Sequence, residues 1–187
     1  MQWDAEPTAR AAHMGFLIAL AGALQVLELL LPTPVPWARL GLANAPVLAA
    51  LALWGPGPGL WVGVGKVIVG ALFTGRFLTP GFFLSAGGTL AAVAVMAAAV
   101  RVPMLGFVGV SALGAEAHLL TQLALASALL RTPAVWALVP LAGTLALASG
   151  VVTGWVTAGI VRVAQEDLGY PPATGGNRAT SSPSART

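Results

Sequence analysis

PGFFLSAGGTLAAVAVMAAAV, residues Pro80–Val100, runs for twenty-one residues without a charged side chain. A hydrocarbon layer of about 30 Å is crossed by about 20 apolar residues in a helix. Strands of a membrane barrel would alternate apolar and polar positions over about ten residues. This stretch is too long and too continuously apolar for that. In lipid, backbone polar groups must find internal partners, which leaves the helix. Pro80 stands at its start, where a missing N–H costs nothing, and Arg101-Val-Pro103 closes it.

Further apolar segments lie on both sides. One covers about Met14–Leu31, broken only by Glu28 and stopped by the prolines at 32, 34 and 36. A second, about Leu40–Trp54, is short for a crossing. It fits either a tilted span in thin bilayer or a partly re-entrant segment. Gly55-Pro-Gly-Pro-Gly59 reads as a hard turn before a third short segment, about Leu60–Phe73. Segments at about Leu105–Leu130 and Ala134–Val161 complete six, closed by Arg131-Thr-Pro133 and Arg162. The expectation is an all-α, polytopic membrane protein of about six helices. Residues 1–12 read as a polar N-terminal arm, 13–163 as the transmembrane domain and 164–187 as a polar, largely disordered tail.

Composition agrees. Of 187 residues, 57% are hydrophobic and only 8% charged, against about 25% charged in an ordinary soluble domain. Mean hydropathy is +0.86. Cysteine is absent, which excludes disulfides and thiolate-held zinc. Nine basic residues are scattered singly, so no patch follows a nucleic-acid backbone. No signal peptide is expected. The flanking arginines give only a slight preference for an N-terminus inside.

Polar residues inside the spans are costly and therefore informative. Gln25 and Glu28 are three apart on one helical face. Glu28 reads either as an interfacial residue paired with Arg39 or as part of a cavity. Lys66 interrupts the third segment. It reads as a snorkelling anchor, an ion-pair partner for Glu28 or Glu116, or a cavity cation that attracts an anion. Ser111, His118 and Gln122 are spaced seven and four apart, on one face of the fifth segment. Asn44 follows a Gly-Leu-Ala turn and can cap or bridge broken helix ends. Ser85 and Thr89 carry less weight, because such hydroxyls often bond their own backbone. These stripes are expected to converge on one cavity with Asn44 at its rim. Glu116 points away from His118, so no metal site is expected, and no cofactor. Small residues four apart recur at Gly15-Ala19-Ala23, Gly59-Gly63 and Gly150-Gly154. They serve either internal packing or a membrane partner.

Several of these stretches carry a family resemblance. Arg39-Leu-Gly-Leu-Ala-Asn44 resembles the K-L-G-L-A-N signature of a bacterial membrane family. That family is known both as the Gx transporter family and as heptaprenyl diphosphate synthase component I. Glu28 and the following prolines are similar to its E-x-x-x-P region, and Lys66 falls where the family usually has arginine. Gly75-Arg-Phe-Leu-Thr-Pro-Gly-Phe-Phe-Leu-Ser-Ala-Gly-Gly88 resembles G-T-F-L-S-P-x-F-x-L-S-x-x-G-G. Gly114-Ala-Glu-Ala-His118 with Gln122 resembles G-A-x-x-H-N-x-x-Q, with Leu119 in place of the asparagine.

The likeness covers about residues 15–160. It implies a fold similar to the substrate-binding S components of energy-coupling-factor transporters. It also implies a multi-pass protein of the bacterial cytoplasmic membrane. Such components hold a small solute in a cavity toward the outer face and dock, through a small-x-x-x-small surface on the first helix, on a transmembrane coupling subunit with two ATPases. Gly15, Ala19 and Ala23 would form that surface. Glu28, Asn44, Lys66, Ser111, His118 and Gln122 would bind the solute, which is expected to be anionic or isoprenoid-related. The alternative is a non-catalytic membrane component of a polyprenyl diphosphate synthase. Ionising an allylic diphosphate needs magnesium held by clustered carboxylates. The six acidic residues include no D-D-x-x-D, and no P-loop is present. No catalytic residue is therefore assigned.

Overall fold

The structure is a computed structural model that describes residues 7–30 and 41–167. It is all-α there. Six α-helices follow in order: α1 Pro7–Leu30, α2 Ala45–Trp54, α3 Pro56–Phe73, α4 Pro80–Ala99, α5 Phe107–Leu130 and α6 Val139–Asp167. Short 3-10 turns, Leu42–Asn44 and Pro133–Leu138, lead into α2 and α6. Among the described residues, five helices are long and apolar enough to cross a membrane. The chain is a multi-pass membrane protein.

Helix α2 is the exception, and it organises the rest. Ten residues rise about 15 Å, half a bilayer. Every residue from Ala45 to Ala52 is buried. It therefore lies inside the bundle, against α1, α3 and α6. Its shortness is no mismatch, because protein rather than lipid surrounds it. Lipid is as apolar as leucine, so the drive for this packing is van der Waals contact and close approach. Its Val47, Leu48 and Leu51 interlock with Leu17, Val62, Val93 and Met96 in the principal core.

Helix ends depart from the sequence reading in three places. Gly55-Pro-Gly-Pro-Gly59 was expected to be a turn throughout. Only Gly55 turns, at φ 93°, and α3 begins at Pro56. Proline's missing N–H matters least in a first helical turn, whose N–H groups have no intrahelical partner. That adds four residues and makes α3 long enough to span. Helix α1 starts at Pro7, inside the stretch read as an arm, and α6 continues to Asp167, beyond Val161. Amphipathic ends extend a helix past its apolar window without a backbone cost. The tail from Pro171 and the proline run at 32–36 lie outside the described residues.

Glycines set how closely the helices approach. A Cβ at Gly150 would lie 2.6 Å from the Ala112 Cα, and one at Gly154 would lie 2.5 Å from the Val108 Cα. Backbone meets backbone there, so this pair seals α5 against α6. Gly59 lies against Leu51 of α2, and Gly63 against Thr89 and Val93 of α4. Both patterns are internal packing. Gly15, Ala19 and Ala23 differ: all three are exposed, and a Cβ at Gly15 would meet nothing.

Candidate functional site

The N-terminal end of α2 stops within the bundle, and a cavity lies beyond it. Gly41 makes this possible. Its φ of 69° is the left-handed region that favours glycine, and a Cβ would sit 2.5 Å from the Ser149 Oγ of α6. The chain turns there into Leu42–Asn44 and then α2. Two buried charges reach this turn from neighbouring helices. Glu28, in the last turn of α1, accepts from the Ala43 N–H at 3.2 Å. Lys66, at the middle of α3, donates to the Asn44 Oδ1. Glu28 is 7% and Lys66 3% exposed. A lysine so enclosed is not snorkelling.

Asn44 occupies the N-cap position of α2 yet makes no side-chain capping bond. A capping bond at that position contributes about 1 kcal/mol. Here the carboxamide oxygen is turned to Lys66 instead. The oxygen that could cap the local helix serves a buried ammonium instead, a group whose burial is costly unless it is well hydrogen-bonded.

The other walls come from α4, α5 and α6. His118 and Gln122, one turn apart on α5, lie over Gly88 of α4. A Cβ on that glycine would approach the His118 Cε1 and Nε2 and the Gln122 Cγ to 3.0 Å. Gln25 of α1 lies similarly over Gly70 of α3. The cavity, about 90 Å³, is lined by Gln25, Glu28, Asn44, Lys66, His118 and Gln122, with Ser85 and Ser149. A smaller recess shares Gln25 and Ser85 and reaches exposed Arg76 between α3 and α4.

Five of the six expected site residues thus face one space. Ser111 does not. It is buried beside a separate void of about 10 Å³, together with Asn44, Ser149 and Thr153. Seven residues keep Ser111 and His118 on one face but set them about 10 Å apart along the axis, so they share a stripe and not a level. Glu116 is also outside the cavity. Its carboxylate lies beside Gly143 of α6, and its buried Oε1 has no hydrogen-bond partner. Arg39, the other partner considered for Glu28, lies outside the described residues. Among the described residues, no three His, Asp or Glu side chains cluster as metal ligands would.

Ser149 and Gly41 were not singled out from sequence. A signal existed for Ser149: with Thr153 and Thr157 it forms a polar series at four-residue spacing on α6. Thr157 spends its hydroxyl on the Thr153 carbonyl at 2.8 Å, as such residues commonly do. Ser149 faces the cavity. Gly41 is marked by its φ, which sequence does not display.

Comparison with protein families decides the relationship. The family model described as heptaprenyl diphosphate synthase component I matches residues 17–160. The chain belongs to this family. The match spans α1 from Leu17 to Ile160 of α6, and so contains every cavity-lining residue named above. Neither curated proteins nor solved structures yield a match. The heptaprenyl diphosphate synthase component I family thus supplies the relationship, and the cavity supplies the chemistry.

Proposed function

We propose that the chain is a membrane solute-binding subunit, similar to the S components of energy-coupling-factor transporters, in a bacterial cytoplasmic membrane. The observation that carries this reading is the cavity at the α2 N-terminus. Two buried charges, an imidazole and two glutamine carboxamides converge there from three helices. A protein that only needed to pack would avoid that cost, since polar groups inside membranes are retained chiefly for function. Lys66 meets a negative group of a small solute, His118 and Gln122 orient it, and Glu28 holds the 41–44 turn in place.

The exposed Gly15-Ala19-Ala23 stripe fits the second half of the reading. The other two small-residue patterns are consumed inside the bundle. This one is left for a helix of a transmembrane coupling subunit, itself driven by ATPases. Co-expression with candidate coupling subunits tests it: the wild-type chain co-purifies, and Ala19→Leu does not while remaining monomeric and folded. Equal recovery of both would remove the docking role.

The family's name favours a second reading, a non-catalytic membrane partner of a prenyl diphosphate synthase. It predicts co-purification with a soluble synthase subunit rather than with a membrane coupling subunit.

A further inference from the structure

A buried cavity serves a solute only if something leads to it. The recess between α3 and α4, about 40 Å³, meets the cavity at two residues, Gln25 and Ser85, which line both spaces. Its walls are otherwise apolar, from Val67 and Ala71 of α3 and Phe82 of α4. Thr74 also lines it, but spends its hydroxyl on the Gly70 carbonyl at 2.7 Å. Among the described residues that line the recess, Arg76 alone is charged, and it is exposed.

Backbone bonds place Arg76 there. Gly75 turns the end of α3 at φ 66°. The Arg76 N–H then donates to the Ala71 carbonyl at 2.9 Å, the closure that a left-handed glycine allows at a helix end. The Arg76 carbonyl accepts from the Thr79 hydroxyl at 2.7 Å. The residue is held on both sides, so its guanidinium starts from a set point at the mouth.

The sequence supplies no countercharge at this end of the bundle. The connections from α1 to α2, α3 to α4 and α5 to α6 carry Arg39, Arg76 and Arg131 and contain no Asp or Glu. Of the six acidic residues, Asp4 and Glu6 precede α1, and Glu166 and Asp167 end α6. Glu28 lines the cavity and Glu116 lies beside Gly143, and neither lines the recess. A cleft with one sign of charge and low-dielectric walls focuses its field and concentrates the opposite ion. The guanidinium is always charged and matches the geometry of carboxylate or phosphate.

We propose that this recess is the entrance to the cavity and that Arg76 makes it selective for anionic solutes. The proposal rests on the reading that the cavity binds a solute, and adds a route to it. Arg76 acts on arrival, before Lys66 is reached.

The chain has no cysteine, so a single introduced thiol reads the route directly. Ser85→Cys puts one where recess and cavity meet. Met104→Cys puts one on the connection from α4 to α5, at the other end of the bundle, where Met104 is 94% exposed. Each full-length chain, in lipid nanodiscs at low salt, is treated with two membrane-impermeant reagents of similar size. One is the anionic sulfonatoethyl methanethiosulfonate, the other the cationic trimethylammonioethyl methanethiosulfonate. The ratio of anionic to cationic rate cancels the intrinsic reactivity of each thiol. It should be about tenfold or more higher at position 85 than at position 104. Arg76→Gln should lower it about threefold or more at 85 and leave it unchanged at 104. Salt at about 1 M, where the screening length is about 3 Å, should also lower it at 85. Ala71→Cys, in the recess wall, is a second reporter should Ser85→Cys fail to fold. No reaction at either recess position, while 104 reacts, overturns the entrance. A ratio that Arg76→Gln leaves unchanged in the recess overturns the selectivity. Both results leave solute binding by the cavity standing. Wild-type protein that releases no metabolite on heating overturns that underlying reading, whichever way the thiols react.

Discussion

Lys66 donates to the side-chain oxygen of Asn44, the residue that stands at the N-cap of α2 and does not cap it. The neighbouring residue, Ala43, donates its N–H to Glu28. Consecutive residues of one turn thus hold opposite charges brought by different helices. The turn, the buried half-length helix behind it and the cavity in front of it form one arrangement.

Removing the amide separates stability from binding. Asn44→Ala removes the Oδ1 acceptor that Lys66 bonds and should lower stability by about 1–3 kcal/mol, read as a lower melting temperature in detergent. The same change removes one competitor for the ammonium, so a carboxylate-bearing solute should bind at least as tightly as before. Asn44→Asp should do the opposite to binding. Its own carboxylate would occupy Lys66 and weaken such a solute by about tenfold.

Gly88→Ala tests the position of the imidazole. The added methyl would press on His118 and Gln122 at 3.0 Å. These are side chains that can move by a few tenths of an ångström. The protein should therefore fold with a loss of no more than about 1–3 kcal/mol, while solute affinity falls. His118→Ala should weaken binding less than Lys66→Gln, because it removes orientation rather than a charge.

Two small-residue stripes should respond in opposite ways. Gly154→Ala drives a methyl into the backbone of α5 at 2.5 Å, and backbone cannot rotate aside. It should cost about 1–3 kcal/mol or more and lower the melting temperature of the isolated chain. Ala23→Leu, on the exposed face of α1, should leave that temperature unchanged and reduce recovery of a membrane partner. Thermal melting and co-purification read the two effects separately.

Much of this was legible before the fold was known. The unbroken apolar run at 80–100 required a membrane helix, and Pro80 marked its start; the cap before it, the Thr79 hydroxyl accepting from the Phe82 N–H, shows only in the structure. Gln25, Glu28, Lys66, His118 and Gln122 stood out because polar side chains within spans are expensive. Other features were hidden for physical reasons. Helix period gives a residue's direction but not its depth, so Ser111 was grouped with His118 though it lies about two turns away. Gly-Pro-Gly-Pro carries the composition of a turn, and only its register shows that both prolines sit within the first turn of α3. A buried half-length helix looks like a poor span until its neighbours are known. Which small-residue stripe remains exposed depends on packing alone.

The central claim is that the cavity between Glu28, Asn44, Lys66, His118 and Gln122 binds a small solute. The most direct measurement is mass spectrometry of the metabolites released by heating purified protein, with wild type, Lys66→Gln and Glu28→Gln prepared side by side from the same cells. The account predicts one small polar compound enriched on the wild-type chain and lost from both variants, each still folded by melting. No retained compound on wild type, or the same compounds at equal amounts on all three, would contradict it.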